Sequence, residues 1–328
     1  MMLFWEHLLN YTFLQYAILG GLLASVACGV VGSFVVVRRT TYVAGAIAHC
    51  VLGGMGAARY LQRVHGVEWM TPLLGATVAA VVAALIIAAV TVSGQQREDT
   101  VLSAIWAIGM AVGVSFITAT PGYYEDLMSY LFGNILMVGV ADLWHMVLLD
   151  AVIVMLMLLF YDKFLVISFQ PELARLRGIR VGFYHTLLLV LISLTVVLLT
   201  QVVGLVMVIA LLTLPAATAL HFVRRLWSAM VVATALCFLF TVSGIALSYG
   251  PELPAGATVI QVAGAAYLLA VAGKWIWRKR PSEQHELGHP LTIFLNDKGV
   301  LIGSKANSDK FADQQDAVGE LPDSRHPL

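Results

Sequence analysis

His49 is the first residue with chemistry to explain. It stands in the run Val43-Ala44-Gly45-Ala46-Ile47-Ala48-His49-Cys50, an otherwise apolar block. An ionisable side chain inside such a block is costly unless it faces a cavity, a pathway or a partner. Imidazole is the commonest protein ligand for divalent transition metals, so one chemistry open to His49 is metal coordination. The plainer reading, a histidine hydrogen-bonded to a neighbouring helix, stands beside it. Glu125 and Asp126 open a second polar segment, through Asn134, that is too short and polar to span a membrane. Their charges either draw cations to an entrance or favour a helix N-terminus through its dipole, and the dipole is the simpler account. A third feature runs from Asp162 to His185 and holds Gln170-Pro171-Glu172-Leu173-Ala174-Arg175-Leu176-Arg177-Gly178. Pro at the start, acid in the first turn, bases later and a closing Gly predict a short capped helix. Such an element suits docking to a cytosolic partner or lying on the membrane surface. Finally, Gln201-Val202-Val203-Gly204 leads to Leu214-Pro215-Ala216-Ala217, where Pro215 predicts a broken or kinked helix.

The elements that position these residues follow from hydropathy. The 328 residues are 60% hydrophobic and 12% charged, with mean hydropathy +0.87. A soluble core of this length cannot hide that much apolar surface. About 20 apolar residues cross the hydrocarbon as helix, and blocks of that length recur near 13–37, 43–60, 73–93, 101–119, 143–161, 183–201, 203–222, 226–248 and 258–277. The expected fold is an all-α polytopic bundle of about eight to nine transmembrane helices, the 203–222 block being short or broken. Residues 1–12 read as an interfacial lead-in, 13–277 as the membrane domain with a cytoplasmic loop at 162–182, and 278–328 as a largely disordered cytoplasmic tail. The first block lacks a basic leader and is too long for a cleavable signal. Gly20, Ala24, Cys28 and Gly32 form a stripe of small residues in the first span, which reads as tight helix packing.

Charge distribution orients the bundle. One set of alternate loops carries Arg38, Arg39, Arg97, Lys163, Arg175, Arg177, Arg180, Arg224, Arg225, Lys274, Arg278, Lys279 and Arg280, against only Arg59 and Arg63 in the other. The positive-inside rule puts the first set and the C-terminus in the cytoplasm. Cys28, Cys50 and Cys237 all lie in apolar blocks without a CxxC pair, so they read as small core residues rather than disulfides or zinc ligands. In the tail, Leu291–Leu295 and Val300–Ile302 flank Asn296-Asp297-Lys298-Gly299, a hairpin signal. His285, His289 and His326 read as solvated, with weak metal binding as the alternative. A phosphate-binding Gly-rich loop, an HExxH and a GxSxG are all absent from the sequence, which points away from an enzyme and from ATP binding by this chain. Zero net charge gives no reason to expect a nucleic-acid partner.

Six ordered blocks carry a resemblance: Arg38-Arg39 through Gly54, Glu98-Asp99-Thr100 through Gly113, Asp126 through Asn134, Pro171 through Gly178, Gln201 through Thr218, and Leu253-Pro254-Ala255-Gly256-Ala257. Across residues 10–277 the chain resembles the membrane permeases of bacterial ABC importers for zinc, manganese and iron. The resemblance implies a homodimer in the bacterial plasma membrane, with a central path for a divalent metal ion. It implies a cytosolic ATP-binding subunit docked through Pro171, Glu172, Leu173, Ala174 and Arg175, with ATP held only by that subunit. It further implies an extracytoplasmic metal-binding protein that delivers the ion.

The chain departs from this family at one place. Members carry a Gly-Asp-Ala-hydrophobic-Ser-His pattern whose Asp and His share one helix face. Here Gly45 stands in place of the Asp and Gly53 in place of a later Pro, and Cys50, about 100° around the helix from His49, is only a partial substitute. Losing a hard oxygen ligand weakens manganese more than zinc, so zinc is the expected cargo, with manganese or iron as alternatives. A metal chelate or other small solute is a further alternative, since Gly45 and its neighbours leave room for a wider path. A proton- or sodium-coupled carrier needs paired intramembrane carboxylates, and the spans are read as offering essentially no acidic residue. A non-transport sensor or scaffold explains the tail but not the docking segment.

Overall fold

The computed structural model describes residues 10–94, 98–121, 133, 135, 138–249, 253–278, 294–295 and 301–303. Two compact units emerge, Met1–Trp275 and Ile276–Leu328. The first is all-helical: α1 (Thr12–Val37), α2 (Thr41–Val64), α3 (Pro72–Ser93), α4 (Glu98–Ala119), α5 (Val140–Leu159), α6 (Tyr161–Phe169), α7 (Pro171–Leu176), α8 (Val181–Val203), α9 (Leu205–Phe222), α10 (Leu226–Tyr249) and α11 (Ala255–Arg278). Among the described residues nine of these helices are long and apolar enough to cross a bilayer, all but α6 and α7. In the second unit β1 (Phe294–Leu295) pairs antiparallel with β2 (Leu301–Gly303), the two runs that the sequence marks as a hairpin. The rest of the tail and residues 1–9 lie outside the described residues.

Local chemistry sets the helix ends. Thr71 accepts a hydrogen bond from the Leu74 amide at 3.3 Å, Pro72 occupies the first turn, and Gly94 closes α3 in the left-handed region at φ 62. The Asp142 carboxylate accepts from the Gly139 amide at 3.0 Å and starts α5. Gly204, at φ 82, separates α8 from α9. α9 then runs through Pro215, and of the two outcomes expected there, a break or a kink, this rules out the break: the proline is carried inside an 18-residue helix.

Hydroxyls inside the spans are satisfied by their own helices, as a medium without water requires. Ser25 donates to Gly21 O at 2.6 Å, Ser33 to Gly29 O at 2.7 Å and Thr241 to Cys237 O at 2.9 Å.

Small residues decide which helices touch, because two backbones approach closely only where no side chain intervenes. α2 lies between α3 and α4. A Cβ on Gly54 would fall 2.8 Å from the Gly75 carbonyl carbon of α3, and one on Gly53 would fall 2.8 Å from the Gly109 oxygen of α4. Farther along, a Cβ on Gly56 would fall 2.9 Å from the Gly113 oxygen. The α1 stripe is likewise spent on internal packing: Gly20, Ala24, Cys28 and Gly32 are all buried, and Gly32 meets Leu212 of α9, while the neighbouring Gly29 meets Thr234 of α10. α1 and α2 are the innermost spans, whereas α4, α5 and α11 present wide apolar faces outward.

Candidate functional site

His49 sits two turns into α2 and is 9% exposed. Its imidazole stacks on the indole of Trp106 from α4, with ring centroids 4.3 Å apart and planes at 26°. Its Nδ1 has no hydrogen-bond partner among the described residues. The plainer sequence reading, a histidine satisfied by a neighbouring helix, therefore describes only its ring stacking. Gly45 lies one turn earlier on the same face of α2. A Cβ at Gly45 would fall 3.0 Å from Trp106 Cζ3 and 3.5 Å from Ile209 Cδ1. The indole thus fills the space that a side chain at 45 would need. Cys50 turns away from this cluster and donates its thiol to Ile105 O of α4 at 3.5 Å.

Trp106 is a residue that sequence reasoning missed. It also lines a cavity of about 310 Å³ with Tyr42, Asp99, Leu102 and Ser103. Its signal was spacing: Asp99, Ser103 and Trp106 form one stripe along the first two turns of α4.

Asp150 is a second omission and corrects the reading of the spans as free of acid. It lies inside α5, 5% exposed, and neither carboxylate oxygen has a hydrogen-bond partner among the described residues. Cys28 and Cys237 are buried free thiols in α1 and α10. Asp150 is a single carboxylate rather than the pair that a coupled carrier uses. Among the described residues there is no group of three or more His, Cys, Asp or Glu placed to hold a metal.

On the side of Arg38 and Arg39, the stretch expected to be a loop at 162–182 is mostly helix. The chain breaks at Phe160, where α5 ends, and α6 follows at once. Apolar Phe164 and Ile167 are buried, which makes α6 a packed helix rather than a solvated connection. α7 begins at Pro171, carries Glu172 in its first turn and Arg175 in its last, and those two pair at 3.5 Å. The Gly178 and Ile179 amides donate to Arg175 O and Ala174 O and close it, with Gly178 at φ 72. Ala174 is wholly buried against the bundle, whereas Leu176 is 85% exposed. Lys163, Arg177 and Arg180 line a cavity of about 430 Å³ beside this helix, with Phe183 and Tyr184.

Immediately beyond it, Arg38 Nη2 donates to His185 Nδ1 at 2.9 Å, tying the end of α1 to the start of α8. A guanidinium only donates, so the imidazole must accept at Nδ1 and carry its proton on Nε2. Neither partner of this bond was paired from the sequence. Glu125 and Asp126 lie outside the described residues, as do Asn134 and the tail histidines.

Among the described residues, nine apolar helices, a buried histidine between two of them, and a small helix beside Arg177 and Arg180 define a polytopic membrane protein. Residues 10–274 match the ABC 3 transport family, and the chain belongs to that family. It is 45% identical over 264 residues to an uncharacterised membrane protein of Synechocystis sp., covering 80% of this chain and 92% of that one. It is 33% identical over 267 residues to the manganese transport system membrane protein MntC of Halalkalibacterium halodurans, covering 81% and 89%. Among solved structures it resembles PsaBC from Streptococcus pneumoniae in complex with Fab. The TM-score there is 0.72 and the identity 30%, covering 81% of this chain and 94% of that one.

Proposed function

We propose that the chain is the membrane-spanning permease subunit of an ATP-driven importer of divalent transition metal ions. Two copies form the ion path in the bacterial plasma membrane with their C-termini in the cytoplasm. Each docks a separate ATP-binding subunit through α7, and an extracytoplasmic metal-binding protein delivers the ion. ATP stays on the partner, and this chain supplies the path and the gate. Relatives named for manganese transport support the metal class. The observation that carries the reading is His49: a buried imidazole with an unpartnered nitrogen, on the helix clasped between α3 and α4.

Within that class the cargo is zinc in preference to manganese. Imidazole suits zinc, and the hard carboxylate that would favour manganese is replaced by Gly45 with an indole packed against it. The same indole argues against a chelate, which needed the space at Gly45 to be open.

The test is reconstitution of the permease with its ATP-binding subunit in proteoliposomes containing a zinc indicator. ATP-dependent zinc accumulation is expected from the native complex. Ala174→Arg forces a long charged side chain into a fully buried position of α7. That variant is expected to insert normally yet lose the ATP-binding subunit on purification, with uptake falling on the order of tenfold or more. Native vesicles that accumulate no metal on ATP would contradict the proposal, and an Ala174→Arg complex as firm as native would contradict docking through α7.

A further inference from the structure

α2 and α4 run side by side in the same direction, and their contacts change along their length. In their outer halves Gly53 and Gly56 meet Gly109 and Gly113 backbone to backbone, leaving no room for an ion. Toward their first turns the helices part around the cavity of about 310 Å³. Trp106 stands where the contact changes. One face of its indole stacks on His49, and the same residue forms part of the cavity wall, which His49 itself does not line.

We propose that Trp106 is the inner gate of the His49 pathway, and that the cavity behind it, with Asp99 as its carboxylate, is the exit chamber for the cation. This rests on the transport reading above. The cavity opens on the side of Arg38 and Arg39, since Tyr42 lies in the first turn of α2 and Asp99 in the first turn of α4. A divalent ion on His49 therefore leaves by displacing the indole.

The chamber suits a departing ion. Asp99, Ser103 and Tyr42 offer oxygen atoms, all three residues are exposed, and Ser103 is tied to its own helix by donating to Asp99 O at 2.8 Å. Oxygen donors that stay hydrated hold a divalent transition ion less firmly than buried imidazole does, so the step from His49 to the chamber runs toward release. The indole has somewhere to go, because the cavity lies directly beside it. While it remains stacked, it covers one face of His49 and presents a ring to the ion rather than a ligand.

The experiment uses the permease with its ATP-binding subunit in proteoliposomes, with zinc ion alone as the probe. Downhill zinc leak is followed without ATP and accumulation with ATP. Trp106→Ala is expected to raise the leak by on the order of tenfold, and Trp106→Phe, which keeps a smaller ring, to give an intermediate leak. Asp99→Asn is expected to slow ATP-driven accumulation severalfold. Should Trp106→Ala fail to insert, Trp106→Leu takes its place with the same expected leak. Trp106→Ala vesicles as tight as native overturn the gate, and native accumulation with Asp99→Asn overturns the chamber. A native complex that accumulates no zinc overturns the zinc reading on which the gate rests, so the two failures are distinguishable.

Discussion

Gly45→Asp, which returns a carboxylate to the face of His49, is expected to damage the protein rather than improve it. The added Cβ would stand 3.0 Å from Trp106 Cζ3, with Ile209 Cδ1 at 3.5 Å on the other side. Ile209 is at ordinary contact distance, so the strain falls on the stacked indole, which must shift off His49, and the carboxylate enters apolar surroundings. Overpacking alone costs about 1–3 kcal/mol. Burying an acid among an indole and an isoleucine side chain adds a desolvation penalty. Thermal unfolding of the purified permease should therefore drop clearly for Gly45→Asp.

Combining Gly45→Asp with Trp106→Ala removes the obstruction and is expected to recover most of that loss. The two changes should be non-additive by roughly 0.5–3 kcal/mol, as for residues in direct contact. With the carboxylate accommodated beside His49, bound manganese should rise relative to zinc in a competition assay. A Gly45→Asp protein as stable as native would show that Trp106 does not fill the place of the missing acid.

The second large effect is expected at the crossing of α2 and α3. A Cβ on Gly54 would lie 2.5 Å from the Ala79 Cβ, and one on Gly75 would lie 2.5 Å from the Ala58 Cβ, with backbone of the opposite helix also in the way. Backbone cannot rotate aside as a side chain can, so Gly54→Leu must push the helices apart. The protein is expected to fail to assemble, and Gly54→Ala to lose at least ~1–3 kcal/mol. Gly264→Leu in α11 is the control, because nothing lies within 4 Å of its added Cβ. The amount of protein in isolated membranes and its unfolding temperature provide the readout. Equal tolerance of Gly54→Leu and Gly264→Leu would refute the close crossing.

Much of the fold was legible because bilayer thickness imposes one length on every span. All nine long helices lie where the apolar blocks fall, and α7 begins at Pro171 and closes at Gly178 as its punctuation predicts. The hairpin in the tail was legible for a similar reason, a polar turn between two apolar runs. Mixed hydropathy hid α6: Asp162 and Lys163 read as a solvated loop, whereas Phe164 and Ile167 anchor a helix.

The site was legible only by half. His49 announces itself as one imidazole in an apolar run. Trp106, in contrast, is one aromatic among many until the glycines of α2 and α4 bring the helices together and select it. In lipid and core alike the side chains are apolar, so periodicity does not say which face of a span looks inward. Asp150 was visible among Leu148, Leu149, Ala151 and Val152, but averaging hydropathy over a whole span conceals one carboxylate. The Arg38–His185 bond joins residues far apart in sequence, and no local pattern encodes it.

The central claim is that this chain admits a metal ion and that His49 lies on the route. It is tested most directly by cellular metal content, measured by mass spectrometry under metal limitation. A strain lacking the protein is compared with strains complemented by native protein or by His49→Ala, with the amount of each protein in the membrane checked. The expected result is a selective fall in zinc in the deletion strain, restored by native protein and not by His49→Ala inserted at native level. Unchanged content of every metal in the deletion strain, or full restoration by His49→Ala, would contradict the account.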